Sequence, residues 1–159
     1  MGFLTWIENT SIAEYVRVSA YGYPAMITLH SLGLAIMVGL SVVLSLRVIG
    51  LFKVIPYPSL YRLLKVAWVG FIVNFISGGA LFTTQAVSYM QDNTFLMKMA
   101  MVILGAILVA IMQTMIKGAI ATGNPEAAAA ANPMLKVIAW AAILAWTIGM
   151  VTGRLIAYL

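Results

Sequence analysis

The chain has 159 residues, of which 64% are hydrophobic and 8% charged, with a net charge of +5 and no cysteine. So few polar residues cannot clothe a water-soluble domain of this length, and lipid is the solvent that fits. The basic residues sit singly between apolar runs, which excludes a nucleic-acid patch. The lack of cysteine excludes disulfides, thiolate metal sites, cysteine nucleophiles and covalent c-type haem attachment.

The N-terminal stretch Met1 to Thr10 has no basic region before a short apolar core, so no signal peptide is expected. Residues 1–19 read instead as an amphipathic helix lying on the membrane surface. Ile12, Tyr15, Val16 and Ser19 share one face, and Ser11 with Glu14 has the spacing of a capping box. Residues 20–159 then form a transmembrane domain. A bilayer core of about 30 Å takes roughly 20 helical residues to cross. Four apolar stretches are long enough, at residues 20–52, 63–89, 95–116 and 134–159. Only helices span lipid without a closed barrel, so the predicted fold is an all-α transmembrane four-helix bundle.

The joints are legible too. Pro56 and Pro58 separate spans one and two, and Gln91 to Thr94 is a polar turn between spans two and three. Gly123-Asn124-Pro125 opens the loop before span four. Asn124-Pro125 has the form of a short helix start, and Asn132-Pro133 that of a cap and first turn. Arg47, Lys53, Arg62 and Lys65 surround the first loop, and Lys117 and Lys136 flank the third, opposed only by Glu126. The positive-inside rule puts those loops in the cytoplasm. Both termini and the second turn then face outward, the periplasm of a Gram-negative cell, with the protein in the inner (plasma) membrane.

The lone histidine, His30, carries the functional reading. It lies about ten residues inside the outward end of span one, roughly 15 Å deep at the helical rise. An imidazole at that depth is costly, and it is the commonest side-chain ligand of metals and of haem iron. Gly33 stands one turn from it. Gly78 with Gly79, Gly105 and Gly149 stand at the same level on the other spans. Glycines at one level leave room for a flat macrocycle, although each also permits close helix packing. Nearer the outer surface are Lys98, Arg154 and, on the surface helix, Arg17. These cations suit the two propionates of haem b, or else snorkel to the interface. With no second histidine the iron is five-coordinate or takes a weak sixth ligand such as Met97 or Met101. The methionines of span three also allow a copper site with His30, but they spread around the helix. No carboxylate lies deep in any span, which argues against a proton-coupled transporter.

Tyr23-Pro24, then Leu29-His30-Ser31-Leu32-Gly33, Gly39 and Leu46-Arg47-Val48-Ile49-Gly50-Leu51 resemble the first span of a bacterial family of small four-helix membrane proteins of uncharacterised activity. Ser77-Gly78, Leu81-Phe82, Asn93, Phe95 and Lys98-Met99 are similar to the same family. The chain also resembles, distantly, the copper-resistance D membrane proteins and the membrane b-type cytochromes. It departs from the family pattern at Ser45, where an acid is usual. The expectation is a b-type cytochrome-like electron carrier. His30 holds the haem iron, and a quinol, a periplasmic carrier or an oxygen species exchanges electrons with it. Four spans enclose little volume for a large cofactor, so a homo-oligomer with the haem at or near the subunit interface is expected. The alternatives are a copper-binding or copper-transport protein and a cofactor-free accessory subunit.

Overall fold

The computed structural model describes residues 2–156. The protein is 86% helical, with α1 (Gly2–Glu8), α2 (Ser11–Val18), α3 (Gly22–Ile49), α4 (Tyr57–Thr83), α5 (Ala86–Gln91), α6 (Asn93–Ala121), α7 (Pro125–Ala130) and α8 (Pro133–Leu155). Four of these, α3, α4, α6 and α8, are long and apolar enough to cross a membrane. They form the all-α bundle read from the sequence.

The spans differ in extent from the hydropathy reading because backbone chemistry, not hydrophobicity, sets helix ends. Gly50 adopts a left-handed φ of 116°. It ends α3 at Ile49 while the N–H of Leu51 returns to the Leu46 carbonyl at 2.9 Å. Pro56 and Pro58 do not merely interrupt the chain: they start α4, one as its cap and one in its first turn. The helix therefore begins six residues ahead of its apolar run. At the other end α4 stops at Thr83, and Ala86–Gln91 is a separate helix. The last span is described to Leu155, and its expected final residues, 157–159, lie outside the described residues.

The N-terminal segment is two helices, not one. Thr10 interrupts it: its hydroxyl caps α2 by accepting from the Ala13 N–H at 3.4 Å, so the cap is Thr10 and not Ser11. Ala13 and Val16 are buried against α3 and α4 while Phe3, Trp6, Ile12, Tyr15 and Val18 stay exposed. The Glu8 carboxylate accepts the Val87 N–H at 2.9 Å, which ties α1 to α5. Arg17 bridges back to the Glu8 carbonyl at 2.7 Å. The bundle thus has one end covered by α1, α2 and α5, called here the α5 end, and an opposite end carrying α7.

Within the bundle α3 packs most extensively on α4 and α6 on α8. The two pairs join mainly through α3 and α8, and α4 meets α6 more sparsely. Trp68 of α4 donates to Gln113 of α6 at 2.7 Å, a polar tie across that thinner seam. The core holds Met37, Leu44, Leu64, Val109, Met112, Ile116, Leu135 and Trp146. At the α7 end Arg47, only 4% exposed, pairs with both oxygens of Glu126. It also donates to the Ile55 carbonyl at 2.7 Å and lies 4.4 Å from the Tyr57 ring centroid. The sequence reading treated Arg47 as an interfacial charge and Glu126 as a stray acid. They are the single ion pair among the described residues.

Candidate functional site

His30 stands two turns inside the α5 end of α3, half-buried between α3 and α4. Its Nδ1 lies 3.0 Å from the backbone carbonyl of Asn74. The Asn74 side-chain amide lies 3.2 Å from the same nitrogen but is committed at 2.8 Å to the His30 carbonyl. A helical carbonyl can only accept. With its proton on Nδ1 the ring donates to the Asn74 carbonyl and leaves the lone pair on Nε2; with the proton on Nε2, Nδ1 accepts from the second N–H of the Asn74 amide. The first is the tautomer of a histidine whose far nitrogen binds a metal, with the near nitrogen held by a backbone acceptor.

Gly78 makes the contact possible. A methyl group there would sit 2.8 Å from Cε1 and 2.9 Å from Nδ1 of His30. The absent side chain is the slot through which the ring reaches a carbonyl one turn back along α4. Gly33, one turn below, works on the backbone. A methyl there would meet the Gly70 carbonyl oxygen at 2.5 Å and the Asn74 nitrogen at 2.6 Å, so α3 and α4 touch main chain to main chain. Their closeness at Gly33 is what sets the reach of His30 to Asn74.

The remaining glycines of the expected cavity are also filled by protein. The Trp146 ring occupies the space beside Gly105, where a methyl would meet Cε2 at 2.8 Å. At Gly149 an added methyl would lie in ordinary contact with Met101 and Val102, at 3.5 and 3.6 Å, so the space there is about one methyl deep. The room for a macrocycle expected beside Gly33, Gly78, Gly105 and Gly149 is thus taken up inside the bundle by an imidazole, an indole and close helix contacts. Four glycines at one level were read as a cavity. Sequence has no means of showing that a tryptophan from another span fills one of them. The buried Trp146 Nε1 has no hydrogen-bond partner among the described residues.

The expected cations separate. Lys98 is half-buried on α6. Its stem runs along Gly153 of α8, with Cε 3.3 Å and Nζ 3.7 Å from the position of a methyl there. Arg154 is exposed near the end of α8. Arg17 is exposed and used by the Glu8 carbonyl, so it belongs to the α1–α2 bracket. Phe82, Tyr89 and Phe95 stack with centroids 5.0–6.3 Å apart at the same end, and Phe95 precedes Lys98 by one turn. Met97 is half exposed on the outer side of α6, whereas Met101 backs Gly149. Among the described residues no three His, Cys, Asp or Glu side chains gather as a metal site.

Two residues of the site escaped the sequence reading in part. Asn74 was visible only as an amide in an apolar span, fit for any interhelical hydrogen bond. Gly153 was visible only as half of a Gly149-x-x-x-Gly153 spacing. Both acquire their roles from residues 44 and 55 positions away, His30 and Lys98. No family model, curated protein or solved structure matches this chain, so what the site does must be read from its own residues.

Proposed function

We propose that this is a multi-pass membrane electron-transfer protein of b-type cytochrome character, with His30 as an axial ligand. The observation that supports it best is the 3.0 Å approach of His30 Nδ1 to the Asn74 carbonyl, which in the Nδ1-protonated tautomer leaves Nε2 free to act as a ligand. One imidazole suffices for haem, because the macrocycle brings the other four nitrogens. A bare copper ion needs several side-chain ligands. The methionines that would supply them are scattered, with Met37 and Met112 deep in the core and Met97 on the outer face. That difference favours haem over copper.

The filled glycine positions move the proposed haem from the bundle interior to its flank, where a second copy of the chain would complete the enclosure. The homo-oligomer is therefore part of the proposal. So is the orientation, with the α5 end outward and the basic first and third loops in the cytoplasm. Haem, when bound, supplies one-electron chemistry, exchanged with a quinol or a periplasmic carrier. The chain's own part is to hold an imidazole at fixed depth, and to place the Lys98 ammonium where an acidic group of the ligand would lie.

One specific observation favours a second reading, a cofactor-free accessory subunit: protein atoms already occupy the spaces at Gly33, Gly78 and Gly105. In that reading His30 is a staple between α3 and α4. Absorbance of the purified protein separates the two. The expected result is a Soret band that His30→Ala removes while the variant still inserts as a helical bundle by circular dichroism. A colourless wild-type protein, or a Soret band undiminished in His30→Ala, would overturn the axial-ligand assignment.

A further inference from the structure

The α5 end carries three acids, Glu8, Glu14 and Asp92, and three cations, Arg17, Lys98 and Arg154, yet among the described residues none of them forms an ion pair. The chain has four acidic side chains, and each has a place away from Lys98. Glu8 accepts from Val87 and Asp92 caps α6 through the Thr94 N–H. Glu126 is bound to Arg47 at the opposite end, and Glu14 lies on the surface of α2 beside Ser11 and Val18. Lys98 is nevertheless half-buried within a helix long and apolar enough to span a membrane. An ammonium in hydrocarbon without a partner anion is expensive.

The stem of Lys98 has a built path. Gly153 lacks the side chain that would stand 3.3–3.4 Å from its Cε and Cδ, so α8 offers a groove in which the methylenes lie across the α6–α8 seam. Arg154, the next residue of α8, adds a second cation at the same end, exposed and without an ion-pair partner among the described residues. A groove for the stem, a charge without a counter-ion among the described residues and a second cation on the adjoining residue of α8 are the parts of an anion site.

We propose that Lys98, set in the Gly153 groove and assisted by Arg154, binds one oxyanion of an amphiphilic ligand at the α5 end. The shared chemistry is a phosphate or carboxylate borne on an apolar body. It has two sources: the phosphodiester of an anionic lipid, or a carboxylate of a bound haem. The second source rests on the haem reading above, and the first stands without it.

The test uses the full chain, delipidated in an uncharged maltoside detergent. In the lipid arm phosphatidylglycerol is added and the melting temperature is read. In the cofactor arm haem and its dimethyl ester, which lacks free carboxylates, are titrated by absorbance. If the lipid is the source, phosphatidylglycerol raises the wild-type melting temperature by about 3 °C or more. Lys98→Gln then loses that rise and Lys98→Arg keeps it. If the cofactor is the source, the ester or Lys98→Gln weakens haem binding by about tenfold, the scale of one lost charged contact. Either outcome supports the site. A wild-type protein that binds no haem ends the haem reading and leaves the lipid arm to decide this one. Equal responses of wild type and Lys98→Gln in both arms would overturn it. Gly153→Leu, which fills the groove and keeps the charge, is expected to behave as Lys98→Gln does, and wild-type behaviour from it would overturn the groove's part.

Discussion

Gly33→Val is expected to separate α3 from α4 and to leave the purified protein melting far below wild type. The first added carbon would stand 2.5 Å from the Gly70 carbonyl oxygen and 2.6 Å from the Asn74 nitrogen. These obstacles are helix backbone, which cannot swing aside as a flexible side chain does. Relief requires moving one helix away from the other along much of their contact. The cost is expected at or above the upper end for overpacking, about 3 kcal/mol, with Gly33→Ala losing less. The same displacement withdraws the Asn74 carbonyl from His30 Nδ1, because His30 lies one turn from Gly33 on α3 and Asn74 lies against Gly33 on α4. Denaturant titration in detergent micelles measures the loss. A Gly33→Val protein within about 1 kcal/mol of wild type would mean that the two helices do not touch main chain to main chain.

The second large effect is expected at the opposite end. Arg47→Ala should cost about 3 kcal/mol, the lower part of the range for breaking a buried ion pair. The low end applies because Glu126 is 56% exposed and hydrates readily once freed. The substitution also frees the Ile55 carbonyl and uncovers the Tyr57 ring. Glu126→Ala should cost a comparable amount, about 3 kcal/mol, because it leaves the buried guanidinium without its counter-charge and without the Nη2 hydrogen bonds, held only by the Ile55 carbonyl and the Tyr57 ring. The double variant should lose clearly less than the sum, because both single changes remove the same pair. Strict additivity in that cycle would show that Glu126 contributes nothing to holding Arg47. Ser45, two residues before Arg47, is fully buried and donates to the Ser41 carbonyl at 2.9 Å. The carboxylate that meets Arg47 comes from α7, far along the chain.

The pairing of these two ends explains why the bundle holds its shape with a thin seam between α4 and α6. At one end glycine lets two helices meet at backbone distance, where dispersion and weak polar contacts act without competition from water. At the other an ion pair and a cation–π contact tie the α3–α4 loop to α7. Between them lies the apolar core around Leu44, Met112 and Leu135. His30 and Lys98 sit in the half held by close helix packing and hydrogen bonds, without an ion pair among the described residues, so changes in that packing reach them directly.

Composition and local chemistry determined the class of this protein. Hydrophobic runs of span length admit only helices in lipid, and the all-α bundle followed from them together with Asn124-Pro125 and Asn132-Pro133 as starts of α7 and α8. Local signals failed where a helix end depends on φ values or capping partners that hydropathy does not weigh, as at Gly50, Thr10 and Thr83. His30 stood out because an imidazole is conspicuous among apolar residues. What lies beside it did not, because a glycine reads the same whether its missing side chain leaves a void, admits a ring or lets two backbones meet. Only tertiary structure decided among these, giving Gly78 to His30, Gly105 to Trp146, Gly33 to the α4 backbone and Gly153 to Lys98. Close packing is a property of two surfaces at once, and each surface here is written in a different part of the chain.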